Sequence, residues 1–246
     1  MGNPRRFTKN LVSVICPTRK GEDIKELIKS VKNSLYPHIE IVVIDEGMER
    51  AIQRNFGMAK ANGEFIMILD SDQYPHPMLI SECRSLMYSY DALYIPEVII
   101  TKGLFAYIRN WERSFYNSTP IDVVRFIRND KLQWFDPLQK GTEDSDWDRR
   151  IVGKRGITSY PLFHNDRVSM VSYFRKKAYY AKSMVRYAQK HKDDKVLDWK
   201  WRCFGVFLEQ GKWKRFIRRP DLALAVLFII FIRGLIYLNE TEWGGV

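Results

Sequence analysis

Cysteine is scarce, with three among 246 residues. Cys16 lies in an apolar run, Cys83 in an expected helix and Cys203 among aromatics; no CxxC pair or Cys/His ligand spacing appears. A structural zinc site is therefore not expected, and a reducing compartment fits. Internal repeats and low-complexity linkers are also missing. No glycine-rich, basic loop follows the first expected strand, where Pro17-Thr18-Arg19-Lys20-Gly21 stands instead. That argues against nucleotidyl transfer onto sugar phosphates. The first apolar run, residues 11–16, is too short and mixed for a signal peptide, so the bulk of the protein is expected in the cytoplasm. Hydrophobic residues at 46% and aromatics at 14% exclude disorder.

What is present in excess is positive charge, +11 from 40 Lys and Arg against 29 Asp and Glu. Such a surplus calls for an anionic partner: nucleic acid, a phosphorylated substrate or an anionic membrane face. Its distribution favours the last two. Lys and Arg alternate with Tyr, Phe and Trp over residues 168–216, directly before an apolar run at residues 222–238 that contains one charge, Arg233. Basic, aromatic helices suit a headgroup layer. The apolar run, about 25 Å long as a helix, is expected to cross a bilayer core of about 30 Å with help from residues 239–243 and Trp243 as anchor. Lys212, Lys214, Arg215, Arg218 and Arg219 precede it and Glu240 and Glu242 follow, which keeps the large domain cytoplasmic. Arg233 would snorkel or face a partner helix.

The chain is organised around residues 65–69, five apolar residues that read as a strand buried on both faces. Asp70-Ser71-Asp72 follows at once. Ligands of open α/β sheets bind beyond the carboxyl ends of strands, and paired carboxylates there can hold a magnesium or manganese ion shared with phosphates. Upstream, residues 11–16, a helix over 24–35 and residues 39–44 read as β–α–β, with Asp45 at the second strand tip. A helix over 48–61 leads into the central strand. Beyond it come a helix over 77–88, one strand over 92–100 interrupted by Pro96, an aromatic helix over 103–116 and a short strand over 123–127. Thr142 reads as a cap for a helix with Glu143 and Asp144 in its first turn, and residues 157–163 as a last strand ending at His164.

Taken in order, Val12 to Thr18, Ile41 to Asp45, Gln53-Arg54-Asn55, Gly63-Glu64, Asp70-Ser71-Asp72 and Glu143-Asp144-Ser145-Asp146-Trp147 resemble the family-2 glycosyltransferases of GT-A fold, over residues 11–192. Members with a C-terminal membrane segment look most similar, among them enzymes of lipid-linked sugars (polyprenyl or dolichol, as in N-glycan biosynthesis) and a minimal cellulose-synthase-like type. The resemblance implies a Rossmann-like, mostly parallel α/β domain over residues 1–167, interfacial helices over 168–216 and a transmembrane helix over 217–246. It implies transfer of one hexose, with GDP-mannose favoured over a UDP-sugar, to a lipid-linked acceptor at the cell membrane.

Its residue assignments are specific. Pro17, Thr18, Asp45, Arg54, Asn55, Asp70, Ser71, Arg175 and Lys176 would bind the nucleotide and its phosphates. Asp72 and Asp70, with His164 as a third ligand, would hold Mg2+ or Mn2+. Asp144 of the Glu143-Asp144 pair would be the general base, and Trp147 would wall the acceptor site. Two features depart from the pattern: the chain between Asp45 and Arg54 is short, and the Gln-X-X-Arg-Trp motif of polymer synthases is missing. Processive synthesis is not expected. A non-catalytic membrane-surface protein is the alternative that explains the charge alone; it leaves the acidic pairs without a purpose.

Overall fold

The computed structural model describes residues 7–47, 49–166 and 169–241. Strand β1 (Thr8–Pro17), helix α1 (Lys25–Lys32), β2 (Ile39–Ile44), α2 (Arg50–Lys60) and β3 (Gly63–Ile68) make two successive parallel β–α–β units. Alternation along the strands explains why both faces are covered. Val12, Val14 and Cys16 of β1, with Phe65 and Met67 of β3 and Leu69 just beyond it, point to one side, where they pack with Leu27 and Val31 of α1. Ile15, Ile66 and Ile68 point to the other, against Ala51 and Met58 of α2. Burial on both faces is what requires an unbroken apolar run. Helix α2 approaches β1 closely enough that a Cβ on Gly57 would lie 2.3 Å from Ile15 Cγ2, so glycine alone fits there.

The chain continues through β4 (Gln73–Pro75), α3 (Leu79–Leu86), β5 (Ala92–Tyr94), β6 (Glu97–Ile99), α4 (Leu104–Arg113) and β7 (Val124–Arg128). Then come α5 (Glu143–Arg150), β8 (Arg155–Ile157) and β9 (Leu162–His164). The main sheet has the order β2-β1-β3-β7-β5-β8, with β7 running against its neighbours. A small second sheet, β4-β9-β6, sits past the carboxyl end of β3. Two expected strands are corrected here, each being two strands in different sheets. Residues 92–100 divide at Pro96, which cannot donate to a ladder, into β5 in the main sheet and β6 in the small one. Residues 157–163 divide likewise: β8 ends at Ile157, and β9 pairs with β4 and β6. Both crossovers carry chain from the main sheet to the rim of the site.

Helix α6 (Met170–Lys190) follows, capped by Ser169, whose hydroxyl accepts from the Ser172 amide. The expected second basic helix is a series of short turns: a 3-10 turn at Lys195–Leu197, a π-helical turn at Trp201–Gly205 running into α7 (Val206–Leu208), and α8 (Trp213–Arg218). Their aromatics are used for packing. Trp201 and Phe207 form a third core with Phe115, Tyr187, Val226 and Ile230. Helix α9 (Pro220–Thr241) ends the described chain; among the described residues it supplies the one segment, Pro220–Glu240, long and apolar enough to cross a membrane. Trp243, expected as its anchor, lies outside the described residues.

Candidate active site

The carboxyl ends of β1, β2 and β3 open on one cavity of about 1070 Å³. Pro17 and Thr18 line it from β1, Asp45 from β2, and Asp70, Ser71 and Asp72 from the turn after β3. Glu143 enters from the first turn of α5, His164 from the end of β9, and Arg175 and Lys176 from α6, beside Tyr179 and Tyr180. Ten of the residues expected at the site thus face one space. Gln53 closes the floor: its amide donates to the carbonyls of Thr18 (2.7 Å) and Gly47 (3.1 Å), tying the β1 and β2 tips to α2.

Beneath the cavity lies an ion network built on Arg54, which has no exposed surface. Its guanidinium donates to Asp70 at 3.0 Å, reaches Glu143 at 3.5 Å, contacts Asp144, and stacks over the Phe135 ring at 5.2 Å. Arg54 therefore does not line the cavity as a phosphate ligand; it positions the strand-end and helix-start carboxylates. Burial opposes the Asp70 charge, but Arg54, Arg125 and Arg50 outweigh it and hold the carboxyl well below the ordinary range. Glu143 behaves differently. Burial, and then the neighbouring Asp144 charge, raise its pKa although Arg50 lies 3.1 Å away, and its Oε2 is buried without a hydrogen bond. Asp144 does not line the cavity; it borders a narrow cleft beside Arg125 and Trp147, with its side chain 31% exposed. Neighbouring positions on a helix diverge by about 100°, so one member of the pair faces the site and the other its support.

On the opposite rim, Asp72 is half exposed, and its carboxylate lies 3.2 Å from His164 Nε2. Burial disfavours the imidazolium, yet hydrogen bonds to Asp72 and Glu97 hold the ring's pKa up at about 9. Glu97, at the start of β6, is bound by Arg113 and by Arg125 (2.8 Å). Burial works against its charge, but these arginines and His164 keep its pKa well below the carboxylate range. The sequence reading missed Glu97 and Arg125. A usable signal existed: a carboxylate inside the apolar run 92–100 needs a buried partner.

Two further expected site residues, and the expected helix cap, have other positions. Asn55 bridges to the backbone of Phe135, donating to its carbonyl at 2.9 Å and accepting from its amide at 2.8 Å. Trp147 is core: it stacks on Phe135 with centroids 4.8 Å apart and donates to the Gln133 carbonyl at 2.6 Å. Thr142 holds the cap position of α5 without a side-chain cap bond; its hydroxyl accepts from Gln139 at 2.5 Å.

For a divalent cation, no group of three or more His, Cys, Asp or Glu ligands stands ready among the described residues. The donors present still suit such an ion. Magnesium and manganese take one or two carboxylates and complete their shell with water and substrate phosphates. Asp72 and Asp70 offer carboxylate oxygens to the cavity, so these residues fit the group.

Residues 46–135 match the family model described as glycosyl transferase family 2. Over that span the chain resembles a family-2 glycosyltransferase domain. The central strand, its acidic tip and Arg54 fall inside that span, and Glu143 and Asp144 lie beyond it. No curated protein matches this chain significantly. Among solved structures, it is similar to the mannosyltransferase PcManGT from Pyrobaculum calidifontis, in complex with GDP-Man and Mn2+: TM-score 0.54, 17% identity, 99% of this chain and 79% of that one covered. It is also similar to S. aureus TarS 1–349 in complex with UDP, with TM-score 0.53, 12% identity and coverage of 94% and 88%. At these identities the likeness shows the fold alone, a GT-A-type α/β domain.

Proposed function

We propose that this glycosyltransferase is membrane-attached and moves one hexose, with inversion, from a nucleotide diphosphate sugar to a hydroxyl of a lipid-linked acceptor. The observation that carries the reading is the convergence of Asp70, Asp72 and Glu143 on the same cavity as Arg175 and Lys176. A diphosphate in that space meets two cations of α6 on one side and the acidic tip of β3 on the other. Asp45 and Thr18, at the neighbouring strand ends, are suited to the nucleoside. GDP-mannose is the favoured donor because PcManGT, whose structure holds GDP-Man, is similar over 99% of the chain. A UDP-sugar is the second reading, favoured by the UDP complex of TarS.

Glu143 is the better-placed proton acceptor of the acidic pair. It lines the cavity, and burial followed by the Asp144 charge raises its pKa, the direction a general base needs. As the acceptor oxygen attacks the anomeric carbon, Glu143 takes the hydroxyl proton while the bond from that carbon to the diphosphate breaks. The nucleoside diphosphate leaves with the electron pair. Asp144, expected to be the base, instead anchors Arg54, and Arg175 and Lys176 offset charge on the departing group. Asp72 with Asp70 would hold a divalent cation, whose chemistry here is to neutralise the diphosphate.

The test is transfer of radiolabelled sugar from GDP-mannose into organic-soluble lipid by membranes containing the protein, with and without a chelator. Chelator-sensitive label in the lipid phase supports the reading. Label that stays in the aqueous phase with every donor and extracted lipid refutes the lipid acceptor.

A further inference from the structure

Helix α9 is fastened to the rest of the molecule at its start, middle and end. Arg219, just before it, donates to the Tyr107 hydroxyl of α4 at 2.7 Å. Arg233, at its middle, is paired with the buried Glu112 of α4 at 2.7 Å and reaches the Tyr173 hydroxyl of α6 at 3.3 Å. Near its end, Glu240 lies 3.5 Å from Lys182 of α6. Between these ties, Leu222, Val226, Ile229 and Ile230 are buried.

The opposite face has no cover. Leu224, Leu227, Phe228, Phe231, Leu235 and Leu238 recur every three or four residues and are all exposed, Leu224 by 69% and Phe231 by 62%. Tyr107 of α4, bonded to Arg219 at the start of α9, is exposed as well, as is Ile217 of the preceding α8. Lys214 and Arg218 stand exposed beside it and form no ion pair with a carboxylate among the described residues. An apolar stripe edged by unpaired cations and an exposed Trp213 has the chemistry of a headgroup boundary with anionic lipid.

A helix of 22 residues, about 33 Å long, has the length to cross. Crossing places the two ends on opposite sides of the hydrocarbon. Here both ends are hydrogen-bonded or ion-paired to the same body, through α4 and α6, and Lys182 is largely exposed to water. The other face of α6 lines the substrate cavity with Arg175 and Lys176. Carrying α6 and Glu112 into hydrocarbon along with α9 is costly.

We propose that α9 lies in the plane of an anionic membrane surface, its Leu224 to Leu238 stripe dipped into the acyl layer, and never reaches the far side. This rests on the membrane attachment proposed above and sets its geometry: the Arg233–Glu112 pair fixes the catalytic cavity at a constant height and tilt over the bilayer from which the acceptor comes.

The experiment uses the full chain made by cell-free synthesis with sealed vesicles of phosphatidylcholine, with or without phosphatidylglycerol, in a Cys203→Ala background. Flotation reads binding, and an impermeant maleimide added outside reads the position of Asn239→Cys, an exposed site near the end of α9. The expected result is flotation that needs phosphatidylglycerol, complete labelling of Asn239→Cys in intact vesicles, and a loss on the order of tenfold in the bound fraction for Phe228→Ser/Phe231→Ser. Both phenylalanines are exposed, so that variant should melt with wild type. Labelling only after vesicle lysis overturns the in-plane helix and leaves membrane attachment standing. No flotation overturns both, and if it accompanies concentration-dependent dimers that the double variant abolishes, the stripe belongs to a second copy.

Discussion

Replacing Arg54 by methionine should be among the most damaging single changes in this protein, although no substrate atom need touch it. The guanidinium is wholly buried and shared by Asp70, Glu143 and Asp144. Removing it leaves three carboxylates close together with Arg50 and Arg125 as the remaining counter-charges. Deleting one partner of a buried ion pair costs about 3–5 kcal/mol. For a chain of this size, 1 kcal/mol moves Tm by about 2–4 °C, so the drop should be roughly 6–20 °C. Thermal unfolding followed by circular dichroism measures it. The penalty should shrink at mildly acid pH, where Glu143, already raised in pKa, takes up a proton, and Asp144→Asn in the Arg54→Met background should restore part of it. An Arg54→Met protein that melts with wild type at both pH values would refute the hub.

Three further outcomes follow from the same contacts. Glu143→Gln should lower kcat by roughly 10²–10⁴ with little change in donor KM, while Asp144→Asn should act chiefly on Tm; the reverse pattern in steady-state kinetics would return the base to Asp144. Asp136 accepts from the Leu138 amide at 2.9 Å, from Arg186 at 3.1 Å and from Lys190, and although burial opposes its charge these bonds hold its pKa well below the ordinary value. Its contribution is therefore present above the unfolded pKa near 4 and lost as pH falls through the depressed folded one. Because its partners are partly exposed, Asp136→Asn should cost only about 1 kcal/mol at neutral pH, with the gap to wild type closing below pH about 4; a gap independent of pH in urea melts would contradict this. Gly57→Ala should destabilise by about 1–3 kcal/mol through contact with Ile15, and Ile15→Ala in the same chain should relieve part of that strain, read as a shift in urea midpoint.

The first three strands and their helices were legible because each face of β1 and β3 is apolar and each helix has one buried stripe. Residues 39–44 are a strand with the expected bounds. The acidic tip at Asp70 and Asp72 was legible because the apolar run stops abruptly there. Less was readable where tertiary contacts decide. Pro96 marked an interruption, but nothing local says that the chain resumes in another sheet, and that transfer is what brings Glu97 beside His164. The Glu143-Asp144 pair was visible as chemistry, whereas the rotation of α5 that aims one at the cavity and the other at Arg54 is set by packing of Trp147 on Phe135. Arginine in a helix gives no sign of burial until its carboxylate partners, distant in sequence, are placed around it. The same holds for Arg233, whose partner Glu112 is 121 positions away.

The most direct measurement is release of nucleoside diphosphate by the purified protein with manganese or magnesium across GDP- and UDP-sugars, beside Asp72→Ala and Glu143→Gln. Metal-dependent release from one donor, absent in both variants, is the predicted result and names the nucleotide. Absence of turnover with every donor, together with no rise in Tm on adding GDP or UDP with metal, would contradict a nucleotide-sugar site in this cavity.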